Sequence, residues 1–148
     1  MRDILDACRN PWIRPQELPK GYLEATSQSA QQRGEAMAHV YWNRWDKLYQ
    51  FTQEFDSASL EAEALWGSEI EELSMNLRKC VSQLRASIEA FIRNEYSGGE
   101  DFRADKDYAN EVKAKINLST DGKDEFSVAL RNAIQGIETH VRPHLARS

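Results

Sequence analysis

Histidines and their acidic neighbours are the side chains of this chain best suited to metal or acid–base chemistry. The sequence holds three histidines, and two pairs stand one helical turn apart: Glu35 with His39, and His140 with His144. Ligands at positions i and i+4 of a helix can share a metal ion, but dinuclear carboxylate bundles need two Glu-x-x-His pairs, and the sequence has none. Pro143 also disturbs the helical register between the last two histidines. We therefore predict no bound metal and no cofactor.

An arginine, an asparagine and a histidine near the C-terminus form a second pattern with catalytic potential. Arg131-Asn132 is followed by His140, which resembles the arginine–polar–histidine signature of small helical ribonucleases of the HEPN type. The resemblance implies RNA cleavage by Arg131 and His140, although their interval is longer than is usual in that family. The sequence contains neither a Gly-x-Ser-x-Gly elbow nor a phosphate-binding Gly-x-x-x-x-Gly-Lys loop. A ribonuclease is thus an alternative hypothesis, and the leading one assigns no catalytic residue.

Acidic residues are concentrated in one stretch of the chain. The net charge of −5 argues against binding DNA through bulk electrostatic attraction. The stretch between residues 54 and 72 is either a solvated face near a helix turn or a docking surface for a basic partner. An acidic inhibitor or antitoxin-like protein that binds a basic target is a further alternative. This stretch contains no lysine or arginine, and its acidic residues are Glu54, Asp56, Glu61, Glu63, Glu69, Glu71 and Glu72.

Tryptophan is dense at two places that could form a binding groove. Residues 41–45 read Tyr-Trp-Asn-Arg-Trp, and Trp66 lies within the acidic stretch. Core packing or subunit contact is one interpretation of these rings, and a groove for a partner helix or peptide is the other. The predicted interaction surface combines aromatic and acidic side chains, namely Trp42, Trp66, Glu61, Glu63, Glu69 and Glu71.

Helices must position these residues, because the apolar residues recur at helical spacing. Between Ser68 and Phe91 the apolar positions alternate by three and four, and a helix places such positions on one stripe. A stripe that narrow must face another helix. Since no segment alternates with a period of two over five residues, we predict the all-α class. The stripe consists of Ile70, Leu73, Leu77, Cys80, Val81, Leu84, Ile88 and Phe91.

The pattern of apolar runs and helix breakers predicts a single domain over residues 1–148. Its architecture is an antiparallel helical bundle of about four helices, two long and two shorter. The predicted elements begin with a proline-containing N-terminal arm (1–20), which has a short helical turn over Ile4–Cys8 and is extended over 10–20. A long helix (21–66) that could kink or restart near 56–59, a second long helix (68–97) and two shorter helices (104–117 and 123–145) follow.

The junction between the two long helices has a specific sequence signature. Gly67 tolerates the positive φ of a helix end, and Ser68 with Glu71 has the spacing of a capping box. We therefore predict a tight reversal at Gly67, with antiparallel helices on either side.

The segment that leads into this junction also has a resemblance to known sequences. Its Phe-rich helix, from Phe51, is followed by the turn Glu61-Ala-Glu-Ala-Leu-Trp-Gly67. The segment is similar to stretches in uncharacterised bacterial helical-bundle proteins, over residues 40–95 and more weakly over 138–145. The resemblance implies kinship of fold without an assigned activity, and in some of those proteins a membrane-spanning segment precedes the bundle.

Helix length and cysteine usage complete the predicted setting. The two long helices extend beyond the shorter ones, so part of their apolar stripe would be exposed in a single chain. A second copy of the chain could cover it, and we therefore predict a homodimer, with a further protein partner as an alternative. No apolar run reaches the roughly 20 residues that cross a bilayer, so membrane insertion of this chain is not expected. Cys8 and Cys80 suggest no disulfide framework, which favours a cytoplasmic location. The leading hypothesis is a non-enzymatic helical-bundle module for self-association or protein interaction.

Overall fold

The computed structural model describes the backbone of residues 2–145 and the side chains of residues 2–140. This range is helical with no strand, which confirms the predicted all-α helical bundle. Six helices occupy it rather than about four, because two short helices flank the longer ones. They are α1 (Arg2–Cys8), α2 (Ala30–Trp66), α3 (Ser68–Tyr96), α4 (Glu100–Ala104), α5 (Lys106–Ile116) and α6 (Glu125–Leu145), and a single 3-10 turn covers Pro15–Glu17.

Helix α3 occupies the centre of the bundle. It packs against α2, α4, α5 and α6, and its predicted apolar stripe is buried, with Leu84 and Ile88 fully so. Two members of the stripe, Leu73 and Phe91, are half-buried. One hydrophobic cluster joins this stripe to side chains of α1, α2, α5 and α6. The stripe therefore organises the core, as its spacing predicted.

Helices α2 and α3 run antiparallel on either side of Gly67. Gly67 has φ +89°, and its N–H donates to the Glu63 carbonyl at 3.0 Å, which ends α2. The chain therefore reverses within one residue. Contacts across the pair join residues whose numbers fall along α2 as they rise along α3: Ser59 with Ser74, Asp56 with Arg78, and Tyr41 with Phe91.

The predicted capping box at the start of α3 is wrong. Ser68 is the first helical residue, the N-cap is Gly67, and no side chain caps the helix. A serine cap needs extended backbone before the helix, and here the single reversing glycine takes that position. Glu69 and Glu71 lie in the first turn of α3, where carboxylates interact favourably with the helix dipole.

The second correction concerns the start of α2, which begins at Ala30 and not at residue 21. Ser29 Oγ accepts from the N–H of Gln32 at 3.1 Å, and Oε1 of Gln32 accepts from the N–H of Ser29 at 2.8 Å. This capping box fixes the helix start. The residues before it have little apolar area to bury, so helix propensity alone does not extend α2 toward Gly21. Beyond its start α2 is continuous, with no restart at residues 56–59.

The N-terminal arm is helical at first and becomes extended only after α1. Ile13 and Leu18 pack against the main core, whereas Trp12 is 80% exposed. The shorter C-terminal helices match the predicted ranges closely, and α4 is an additional turn of helix in the segment before α5. The helical turn expected over Ile4–Cys8 is thus present as α1, and the extended part of the arm follows it.

Candidate interaction site

An apolar groove of about 320 Å³ lies at the end of the bundle where α2 reverses into α3. Helix α2 supplies one wall, α3 the second, and α6 closes the side. Because Gly67 brings α2 directly back as α3, the last turns of α2 and the first turns of α3 are held together there. We call this the reversal groove and define it by Phe55, Ala58, Ala62, Trp66, Ile70 and Ile137.

Exposed apolar side chains lie at the same end of the molecule. Leu65, on the last turn of α2, is 75% exposed and lines the groove. Leu60 on α2 is 65% exposed, and Met75 on α3 is 58% exposed. Single exposed apolar residues are ordinary, and of these three Leu65 is the one that lines the groove.

The floor of the reversal groove is polar. Ser59 Oγ and Ser74 Oγ, on facing helices, are 3.0 Å apart and form a buried hydrogen bond. Sequence reasoning missed this pair, since serines are usually solvated. The sequence did contain a sign that Ser74 is buried, because helical spacing places Ser74 on the same face as Ile70 and Leu77.

The structure brings the predicted acidic residues together with Trp66. Glu61 and Trp66 both line the reversal groove. Glu63 is half-buried near the end of α2, and Glu69 and Glu71 are exposed on the first turn of α3. Of the predicted acidic residues, Glu61 therefore lines the groove, and the other three lie on the turns of α2 and α3 next to Gly67.

Trp42 does not belong to this cluster. It lies 24 positions before Trp66 on the same helix, about 36 Å along the axis. Its ring is half-buried and packs against the main hydrophobic core. Its placement fits the core interpretation of that aromatic segment and not a shared groove with Trp66.

The two residues of the ribonuclease pattern lie apart. Nη2 of Arg131 donates to the Gly122 carbonyl at 2.7 Å, near the start of α6. His140 Nδ1 is 3.4 Å from Oε2 of Glu69, near the reversal. Nine helical positions separate Arg131 from His140, which puts them about 13 Å apart along α6 and on opposite sides of it. The side chain of His144 lies outside the described residues.

A buried arginine links α1 to the C-terminal half of the chain. Arg9 is 1% exposed, and its Nε donates to the Lys115 carbonyl at 2.7 Å. Its Nη1 donates to Ser127 Oγ at 2.8 Å, and its Nη2 is 3.5 Å from Oδ2 of Asp124. Arg9 thus satisfies carbonyls at the end of α5 and side chains at the start of α6. The role of Arg9 is structural, and sequence reasoning did not find it.

Asp124 is the acidic partner of this buried cluster. Burial alone would raise its pKa, but hydrogen bonds from Ser119 and Ser127 and the charge of Arg9 lower the pKa to about 2. Ser119 Oγ and Ser127 Oγ each donate to Oδ1 of Asp124 at 2.6 Å. The carboxylate is therefore ionised throughout the neutral range and fully engaged in structure.

The cysteines are placed as buried thiols and not as nucleophiles. Burial raises the pKa of the Cys8 thiol to about 11 despite the opposing charges of Arg44 and Arg9, and burial also raises the pKa of Cys80. Both are free thiols in the core. A thiol with so high a pKa is almost wholly protonated at neutral pH and reacts slowly.

Clusters of metal ligands and membrane-spanning helices are both absent from the part of the chain that the structure describes. Among the described residues, no three His, Cys, Asp or Glu side chains come together as metal ligands would. None of the described helices has the length and apolar character that crossing a membrane requires.

Comparison with known proteins adds no identification to this geometry. No family model, no curated protein sequence and no solved structure matches the chain. Functional inference therefore depends on the reversal groove and the charges around it.

Proposed function

We propose that this protein is a non-enzymatic helical-bundle interaction module whose reversal groove receives a basic amphipathic helix of a partner protein. The observation that supports it is an apolar groove at whose edge Leu65 is 75% exposed. A helix that docks into a groove inserts apolar side chains spaced by three and four positions. The groove volume of about 320 Å³ suits one or two such side chains.

Charge decides which partner is favoured. Residues 54–72 contain seven acidic residues and no lysine or arginine. Arg78 offsets one of them, with its Nε 2.7 Å from Oδ1 of Asp56. A second copy docked symmetrically at this end would set carboxylates against carboxylates, whereas Lys or Arg beside an apolar anchor would meet complementary charge. This proposal includes the acidic-binder alternative, since the target is basic in both.

Self-association through another face is the second candidate. Tyr49, on the longest helix, is 45% exposed and lies away from the reversal groove. A homodimer that covers this part of α2 would leave the groove open for a partner. Sedimentation velocity at micromolar concentration separates the two states, and a strict monomer contradicts the dimer.

RNA cleavage has less support than protein interaction. The wide separation of Arg131 and His140 along α6 argues against a shared active site within one chain. A reducing, cytoplasmic setting is proposed as well, and it is supported by the free thiols of Cys8 and Cys80.

The test of the main proposal uses designed helical peptides of about 18 residues, labelled for fluorescence anisotropy. One peptide has a leucine face and a lysine face, and its counterpart replaces lysine with glutamate. We expect the lysine peptide to bind with an affinity that falls as salt rises, and the glutamate peptide not to bind. Failure of the lysine peptide to bind at low salt contradicts the proposal.

Two variants of the protein locate the binding surface. Ala62→Trp fills the reversal groove without changing charge and should abolish binding. Charge reversal to lysine around the groove should also abolish it, at Glu61, Glu63, Glu69 and Glu71. A matched control reverses four exposed acids elsewhere and should bind as wild type does, at Glu35, Asp46, Glu89 and Glu111. Equal binding by all variants, with unchanged circular dichroism, overturns the assignment of the surface.

A further inference from the structure

The floor of the reversal groove has hydrogen-bonding capacity that its own two serines do not use. Ser59 Oγ and Ser74 Oγ share one hydrogen bond at 3.0 Å. Two hydroxyl groups offer two protons and four lone pairs, so this bond leaves one proton and three lone pairs. Ser59 is 4% exposed and Ser74 is 1% exposed, and both line the groove. An occupant of the groove can therefore reach the hydroxyl of Ser59.

A leucine or phenylalanine inserted into the groove would cover this pair without offering it a hydrogen bond. Buried polar groups left without partners are costly, which penalises a purely apolar anchor. The walls formed by Phe55 and Trp66 favour an aromatic ring in the same space. A phenol hydroxyl can donate to one serine oxygen and accept from the remaining serine proton.

We infer that the groove selects a tyrosine as the anchor side chain of the basic partner helix. The ring would lie among the apolar walls, and its hydroxyl would extend the Ser59–Ser74 pair. This inference rests on the proposed function, and it adds the identity of the anchor. It also gives a reason for two buried serines, Ser59 and Ser74, at positions where the helical spacing predicts apolar side chains.

Two lysine-face peptides that differ only at a central anchor, tyrosine or phenylalanine, test this inference. We expect the tyrosine peptide to bind wild type about five-fold more tightly, the scale of one net hydrogen bond. A protein variant that combines Ser59→Ala with Ser74→Ala removes both hydroxyls and leaves neither unpaired. In that variant the preference for tyrosine should vanish while the phenylalanine peptide still binds.

The outcomes separate the two proposals. Equal binding of the two peptides to wild type overturns the tyrosine anchor and leaves the interaction module intact. A tyrosine preference that persists in the double alanine variant also overturns the anchor, because the hydroxyl is then recognised elsewhere. Absence of binding by either peptide, with wild-type helicity, overturns the proposed function and the anchor together.

Discussion

Arg44 and Glu17 form a two-point ion pair that fastens the N-terminal arm to α2. Nε of Arg44 donates to Oε1 of Glu17 at 2.7 Å, and Nη2 donates to Oε2 at 3.0 Å. The same guanidinium donates to the carbonyls of Asn10, at 2.7 Å, and Trp12, at 2.9 Å. One side chain thus holds three positions of the arm, and the arm's backbone is fixed even where Trp12 is exposed.

Replacing Arg44 with alanine should release the arm. We expect Arg44→Ala to lower the free energy of unfolding by about 2 kcal/mol, because the bidentate pair is partly buried and two carbonyls lose a charged donor. Chymotrypsin should then cleave after Trp12 much faster than in wild type, as peptide mapping would show. Arg85→Ala, which removes an exposed pair with Glu89, is the control and should change neither quantity. Wild-type cleavage of the Arg44 variant would show that the arm is held by other contacts.

The sequence predicted those parts of the fold that depend on local pattern. The apolar stripe of α3 was predicted from the spacing of its residues, and the reversal was predicted from the single glycine at position 67. Trp66 and Glu61, two residues of the predicted interaction surface, lie near that reversal in sequence, and both line the groove. Trp42 lies far from Trp66 along α2 and packs against the core, and composition does not reveal how far apart two rings lie on a long helix.

Features that depend on distant partners could not be predicted. Arg9 bonds to groups more than 100 positions away, and an arginine in a sequence is normally expected at the surface. The start of α2 was also missed. The helix propensity of residues 21–29 is compatible with a helix, but the capping box at Ser29 makes α2 begin at Ala30.

Arg9→Met should be among the most destabilising single substitutions in the chain. It leaves the Lys115 carbonyl, the Ser127 hydroxyl and the Asp124 carboxylate without a buried cation, and such losses cost about 3 to 5 kcal/mol. Urea unfolding measures the change. Arg131→Ala, which removes an exposed arginine bonded to a single carbonyl, is the control, with an expected loss below about 1 kcal/mol. Similar losses in the two variants would contradict the central role of Arg9.

Asp124 should make the protein sensitive to acid in a defined range. Its folded-state pKa of about 2 lies below the ordinary value of 3.8, so between these values the unfolded chain binds more protons than the folded one. The stabilisation, at most about 2 kcal/mol, is therefore complete above about pH 5 and is lost progressively as pH falls toward about 1. In Asp124→Asn the unfolding free energy, followed by urea titration at each pH, should be lower at pH 7 and fall less steeply over that range. Equal slopes for the variant and wild type would contradict this assignment.

Gly34 and Tyr96 are in contact where the N-terminal part of α2 crosses the end of α3. A Cβ built at Gly34 would overlap the first atoms of the Tyr96 ring, so the whole ring would have to move. Alanine is favoured over glycine within a helix by about 1 kcal/mol, but overpacking costs about 1 to 3 kcal/mol. We therefore expect Gly34→Ala to destabilise the wild-type protein in thermal and urea unfolding.

The sign of this effect should reverse when the ring is removed. In a Tyr96→Ala background the added Cβ of Gly34→Ala meets no ring, so helix propensity should dominate and the substitution should stabilise by up to about 1 kcal/mol. A double-mutant cycle in urea measures the difference, which is the coupling between the two positions. If Gly34→Ala stabilises both backgrounds equally, the close approach of α2 and α3 at this point does not constrain residue 34, and the glycine is there for another reason.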